Sequence, residues 1–191
     1  MCVPFILVRQ TCTDTAWHGG CNQWTNTCSQ TQVNQIGAAL CSINQKVNSC
    51  TLTGLQGLKN CLLVASQVVV WKCGNLGANV LAQTDSVGGN EVTLSPSAFA
   101  STPARFEAIV FHELIHHCGG TELDAEAFEN HCYAGAGATS PTDPDDFDDF
   151  RANGGNFVNW NQATGQLTAG GNTLSPNFVD PTPPASGGGW I

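Results

Sequence analysis

Between Thr102 and Tyr133 the chain carries the signals of two helices with a hinge between them. Thr102 is placed to cap the first helix, and Pro103 suits its first position. From Phe106 to Ile115 nearly every turn is apolar, as in a helix surrounded by core. Gly119-Gly120 stops the run in the manner of a left-handed cap. Thr121-x-x-Asp124 then reads as a capping box that opens a second helix, from about Glu122 to Tyr133. Any fold this chain adopts has to bury the first helix and bring the acidic start of the second close to its end.

The first helix contains His112-Glu113-x-x-His116. Residues four apart on a helix lie about 40° apart around the axis. His112 and His116 therefore share a face and can offer two imidazoles to one metal ion, and Glu113 can reach a water beside it. His117 is about 100° around from His116 and points elsewhere. A metal held by two histidines needs a third protein ligand if a fourth position is to stay open. The second helix opens with three carboxylates, Glu122, Asp124 and Glu126. Glu122 is preferred, because a chain turning at Gly119-Gly120 returns to the metal at that spacing; Asp124 and Glu126 are the alternatives. The plainer reading is a buried helix with two satisfied histidines followed by a charged helix start.

These residues resemble the zincin superfamily of zinc metallopeptidases. Glu122-Leu-Asp124-Ala125-Glu126-Ala-Phe128 is similar to the glutamate helix of gluzincins. That resemblance implies Glu122 as a zinc ligand and Glu126 as the acid that orients a ligand histidine. The offset from His116 to Glu122, with Gly119 between, resembles the metzincin spacing, but the only methionine is Met1 and the Met-turn of that family is missing. Gly120-Thr121-x-x-Asp124 resembles the aspzincins, such as deuterolysin, in which the aspartate is a ligand. The resemblance covers roughly residues 88–133 and implies an α+β, zincin-like fold: a small mixed sheet with an edge strand lying over the motif helix. It also implies a zinc-dependent endopeptidase. Zn2+ would be held by His112, His116 and Glu122, Glu113 would be the general base, and a peptide or protein would be the substrate. Tyr133, His131 and His117 are candidates to steady the developing oxyanion. Two other classes compete: a non-catalytic zinc-containing module, and a disulfide-rich structural or adhesive surface protein with a chance motif.

Ten cysteines are spread through the 191 residues, an even count with no Cys-x-x-Cys pair. That pattern favours disulfides, an oxidising compartment and a secreted or extracellular protein over a cysteine zinc site. The formal charge is −9, with six Lys and Arg. Nucleic acid is thereby disfavoured as a partner, because such binding rests on neutralising phosphates. No apolar run approaches the length of a membrane span. The apolar start, residues 1–8, is short for a signal peptide and lacks its basic lead.

Along the chain, residues 1–25 read as an irregular, disulfide-pinned segment in which His18 is structural. Val33, Ile36, Leu40, Ile43 and Val47 recur at three and four, predicting a helix from about Thr27 to Asn48. A weaker helix is predicted over Leu55 to Ala65, and strands at Val68–Trp71 and Val80–Ala82. Asn90 to Pro96 alternates like a half-buried strand; the resemblance to zincins implies that it is the sheet edge on which a substrate peptide pairs, with an ordinary edge strand as the alternative. Residues 1–137 thus form the expected zincin-like domain. Residues 138–191 are read as an acidic loop, a short hairpin around Phe157–Thr168 and a Pro/Gly-rich tail. The acidic loop, Asp143 to Asp149, is read as solvated rather than as a calcium site.

Overall fold

The computed structural model describes residues 6–12, 24–50, 52–136 and 141–181. The principal helices form where local signals are strongest. Helix α1 (Gln30–Ser49) starts at a capping box in which Ser29 accepts from the Gln32 amide and Gln32 accepts from the Ser29 amide. Its apolar positions Ile36, Leu40, Ile43 and Val47 are all buried. Helix α2 (Gln56–Val64) follows and presents Leu58 and Leu62 to the same core.

A four-stranded sheet shares its core with these helices. It is built from β1 (Leu7–Val8), β4 (Val70–Cys73), β6 (Glu91–Leu94) and β5 (Ala82–Thr84), in that spatial order. β1, β4 and β6 run parallel, while β5 is antiparallel to β6 and forms the edge. The sheet is therefore mixed, and the fold is α+β. The expected edge strand is corrected here: Glu91–Leu94 is interior, paired on both sides, with Val92 and Leu94 fully buried. The chain runs out along β5, turns through residues 85–90 and returns inside it along β6. The exposed edge falls to the shorter strand, in which Gln83 faces solvent.

After the single turn α3 (Pro96–Phe99), helix α4 (Pro103–His117) crosses beneath the sheet. Thr102 caps it by accepting from the Arg105 amide, with Pro103 in the first turn. Phe106, Val110, Phe111 and Leu114 are buried with Trp71 of β4 in one core. Gly119 adopts φ 91°, the left-handed conformation that ends α4 and reverses the chain. Helix α5 (Glu122–Cys132) then opens on the Thr121/Asp124 capping box.

The stretch expected to be an acidic loop is a helix, α6 (Pro144–Asn153). Asp143 caps it by accepting from the Asp145 amide, Pro144 takes the first position, and the early aspartates suit the positive end of the helix dipole. Phe147 and Phe150 are buried beside Trp160 and Phe178, which anchors the helix although its other face is acidic. Its carboxylates join no cluster of metal-ligand geometry among the described residues. The expected hairpin forms and gains a strand: β7 (Val158–Asn161), β8 (Gln166–Ala169) and β9 (Asn172–Leu174) make an antiparallel meander.

Near the amino terminus β2 (Gln10–Cys12) and β3 (Trp24–Asn26) pair as a short antiparallel ribbon where irregular chain was expected. His18 and the Pro/Gly-rich tail beyond residue 181 lie outside the described residues. Disulfides join Cys28 to Cys73, Cys50 to Cys132 and Cys61 to Cys118, and Cys41 is also disulfide-bonded.

Candidate metal centre

The helical spacing of His112 and His116 and the reversal at Gly119 bring three side chains to one point. The Nε2 atoms of His112 and His116 are 3.1 Å apart. Glu122, the first residue of α5, places Oε1 3.3 Å from His112 Nε2 and Oε2 3.1 Å from His116 Nε2. In a tetrahedral zinc site with bonds near 2.0–2.1 Å, neighbouring ligand atoms lie about 3.3 Å apart. The triangle has the size such a site requires.

The remaining ring nitrogens decide what the triangle can hold. His112 Nδ1 is 2.9 Å from Glu129 Oε2, and His116 Nδ1 is 3.1 Å from the Gly120 carbonyl oxygen. Carboxylate and carbonyl oxygens only accept, so both Nδ1 atoms carry the proton and donate it. Each neutral ring then turns a bare Nε2 lone pair toward the other and toward an acidic carboxylate. Three acceptors converge with no donor among them. The arrangement is stable only with a cation or a proton at its centre, and the three side chains could hold a metal ion. Burial opposes a charge on His112, but its hydrogen bonds to Glu122 and Glu129 outweigh that and raise its pKa well above the usual histidine value. Burial likewise opposes charge on Glu122, and the two histidines reverse it and hold that carboxyl below the ordinary range.

No protein-family model, curated protein or solved structure matches the chain.

Glu113 sits beside the triangle, buried, with Oε2 accepting from the Thr84 hydroxyl at 2.6 Å. Thr84 belongs to β5, so the edge strand lies directly over the motif helix. Two depressions flank the triangle and share Ala82, His112, Glu113 and Glu122. One, of about 320 Å3, reaches Ser86 and Val87; the other, of about 250 Å3, reaches Asn79, Arg105, Ile109 and Glu126. Together they make a groove along β5. The loop after β5 is fastened to the end of α4, with the Gly88 amide donating to the His116 carbonyl and His117 Nδ1 to the Gly89 carbonyl.

The other expected residues lie elsewhere. Asp124 is fully buried and turned away from the histidines. Its carboxylate accepts from the Thr121 amide and hydroxyl and from the amides of Asn156, Phe157 and Val158. Glu126 is not the acid that orients a histidine. It accepts from the Asn130 side-chain Nδ2 at 3.3 Å, and Glu129 takes the expected place, itself paired with Arg105. Tyr133 donates to Glu107 in the core, His131 accepts from the Ser175 amide, and His117 faces the loop, so none of the three reaches the groove. His117 also lies near Cys61 and Cys118, but those sulfurs are joined to each other.

Sequence reasoning missed Glu129, Arg105 and Thr84. The first two were within reach: Glu129 is seven residues after Glu122 and Arg105 seven before His112, and seven residues is two turns on the same face. Thr84 gave no signal, since its contact is set by where the edge strand falls.

Proposed function

We propose that this protein is a zinc-dependent endopeptidase with a zincin-like catalytic arrangement. One observation carries the reading: acceptor atoms of three side chains, His112, His116 and both oxygens of Glu122, approach one another at 3.1–3.3 Å, with the buried Glu113 carboxylate alongside and an open strand edge above. A zinc ion held there supplies Lewis-acid chemistry, polarising a carbonyl and making a water acidic near neutral pH.

Everything else is the work of the chain. Glu113 accepts the proton of the attacking water and passes it to the departing amine. Glu129 and the Gly120 carbonyl fix the two rings so that each turns Nε2 inward. The substrate backbone is oriented by β5. Leu81 and Asp85 bond inward to Ser95 and Glu91, so by the alternation of an antiparallel ladder the N–H and C=O groups of Ala82 and Thr84 face outward. An extended peptide lying in the groove pairs with those groups. The disulfides suit an oxidising compartment and hence secretion, and no helix among the described residues is long and apolar enough to cross a membrane.

The test is metal analysis followed by Glu113→Gln. The wild type is expected to hold one zinc per chain and to cleave a mixed peptide library read by mass spectrometry. The variant keeps the zinc and loses about 10²–10⁴ in rate. Stoichiometric zinc with no cleavage by the wild type would favour the non-catalytic zinc module. A protein without zinc would be the structural or adhesive one.

A further inference from the structure

The geometry points to Thr84 as a positioning residue that couples substrate pairing on the edge strand to the alignment of the general base. The inference rests on the endopeptidase reading and deepens it.

Among the described residues, the Thr84 hydroxyl is the single donor to the Glu113 carboxylate, at 2.6 Å. The same oxygen lies 3.3 Å from the Glu113 backbone carbonyl. A hydroxyl has one proton, and the shorter contact to the charged group takes it. Glu113 is buried, so without that donor its carboxylate would face the groove with no protein partner to hold its plane. Ala82 and Thr84 point their side chains to the helix side of β5, and Gln83 points to solvent.

Thr84 is also one of the two β5 residues whose N–H and C=O face the open edge. A peptide strand that pairs there bonds to the backbone of the residue whose side chain holds the base. Pairing fixes the backbone of Thr84, and through its hydroxyl it holds Glu113 against the water that must be deprotonated. A substrate too short to engage the edge therefore forfeits turnover as well as affinity.

The test uses the full, disulfide-bonded, zinc-loaded protein and four variants: Thr84→Val, Thr84→Ser, Glu113→Gln and the Thr84→Val/Glu113→Gln pair. Valine keeps the shape and β-propensity of threonine and removes only the hydroxyl. Thr84→Val is expected to lower kcat about 10- to 100-fold, the scale of a hydrogen bond to a charged group, with KM within about threefold and zinc still stoichiometric. Thr84→Ser restores kcat to within about threefold. In the Glu113→Gln background the valine adds no further loss. A readout independent of turnover is the Kd of acetohydroxamic acid by calorimetry, since its hydroxyl proton is offered to the base. It weakens about tenfold in Thr84→Val and recovers in Thr84→Ser.

If Thr84→Val turns over and binds the hydroxamate like the wild type, the inference is overturned while the peptidase reading stands. If Thr84→Ser is as damaged as Thr84→Val, the methyl group and strand packing matter and the inference is again overturned. A zinc-loaded wild type that cleaves no peptide overturns the peptidase reading, and this inference with it.

Discussion

Two glutamates three residues apart on α5 have opposite surroundings. Glu129 is buried but answered by Arg105 and by His112. Replacing it by Gln weakens the acceptor for His112 Nδ1–H, and the expected result is a 10- to 100-fold loss of zinc affinity, read by chelator competition. Among the described residues Glu126 forms no salt bridge. Burial first, with the charges of Glu129, Glu122 and Asp146 added and only His112 opposing, pushes it up to about 7. An acid whose pKa is raised by folding stabilises the folded state below its unfolded value, near 4.5, and that contribution is lost as the pH rises through about 7. Glu126→Gln cannot ionise and escapes the loss. In metal-free protein it should be about 1–3 kcal/mol more stable than the wild type at pH 8.5 and indistinguishable from it at pH 4.5. Thermal melts in chelator at the two pH values decide; equal melting temperatures at pH 8.5 would show that Glu126 is not held in a costly charged state.

At the scale of elements, most of the longer helices were legible and the placement of strands was not. Caps at Thr102 and Thr121, the glycine at 119 and the three-four spacing of α1 are local signals, and the structure keeps each of them. Which strand becomes the edge depends on pairing partners far along the chain, and the alternation of β6 carried no information about the strand that covers its outer side. α6 was hidden by its composition: the aspartates suggested solvated loop, while the cap, the proline and the phenylalanine pair at 147 and 150 pointed to a helix. Family position misled in one place, setting the supporting acid four residues after Glu122 rather than seven. Asp124 shows how an element boundary can carry more than a cap. One carboxylate starts α5 and anchors the entry to β7, because three consecutive amides, 156 to 158, converge on it. Asp124→Ala leaves those buried donors unanswered, and a loss of about 3 kcal/mol or more is expected from urea denaturation. The aspzincin-like alternative predicts a different outcome, zinc lost with the fold intact.

Over the whole molecule, a metal bound at the triangle would compete with protons there, while disulfides tie its frame. Cys61–Cys118 ties α2 to the end of α4, and Cys50–Cys132 ties the end of α1 to the end of α5. The two helices that carry the candidate ligands are thus fixed, α4 right beside Gly119 and α5 at its far end, and chelation should leave the far-UV circular dichroism nearly unchanged. Stability should respond more than shape. In metal-free protein the raised pKa of His112 means that its stabilising contribution is fully present below 6.5 and is lost as the pH climbs through its folded value. Glu126 acts in the same direction, and the lowered pKa of Glu122 keeps that carboxylate charged throughout this range. Metal-free protein should therefore weaken from pH 6 to pH 8. Zinc needs the His112 proton removed, so where that proton must be displaced its affinity should rise about tenfold per pH unit. A tenfold gain at fixed free zinc is about 1.4 kcal/mol of added stability. The two trends diverge. The difference in melting temperature between zinc-loaded and chelated protein should widen steadily from pH 6 to pH 8, and His112→Ala should abolish both the difference and its slope. A wild-type difference that stays constant or narrows over that range would mean that the bound metal does not displace the His112 proton, and that the centre lies elsewhere in the molecule.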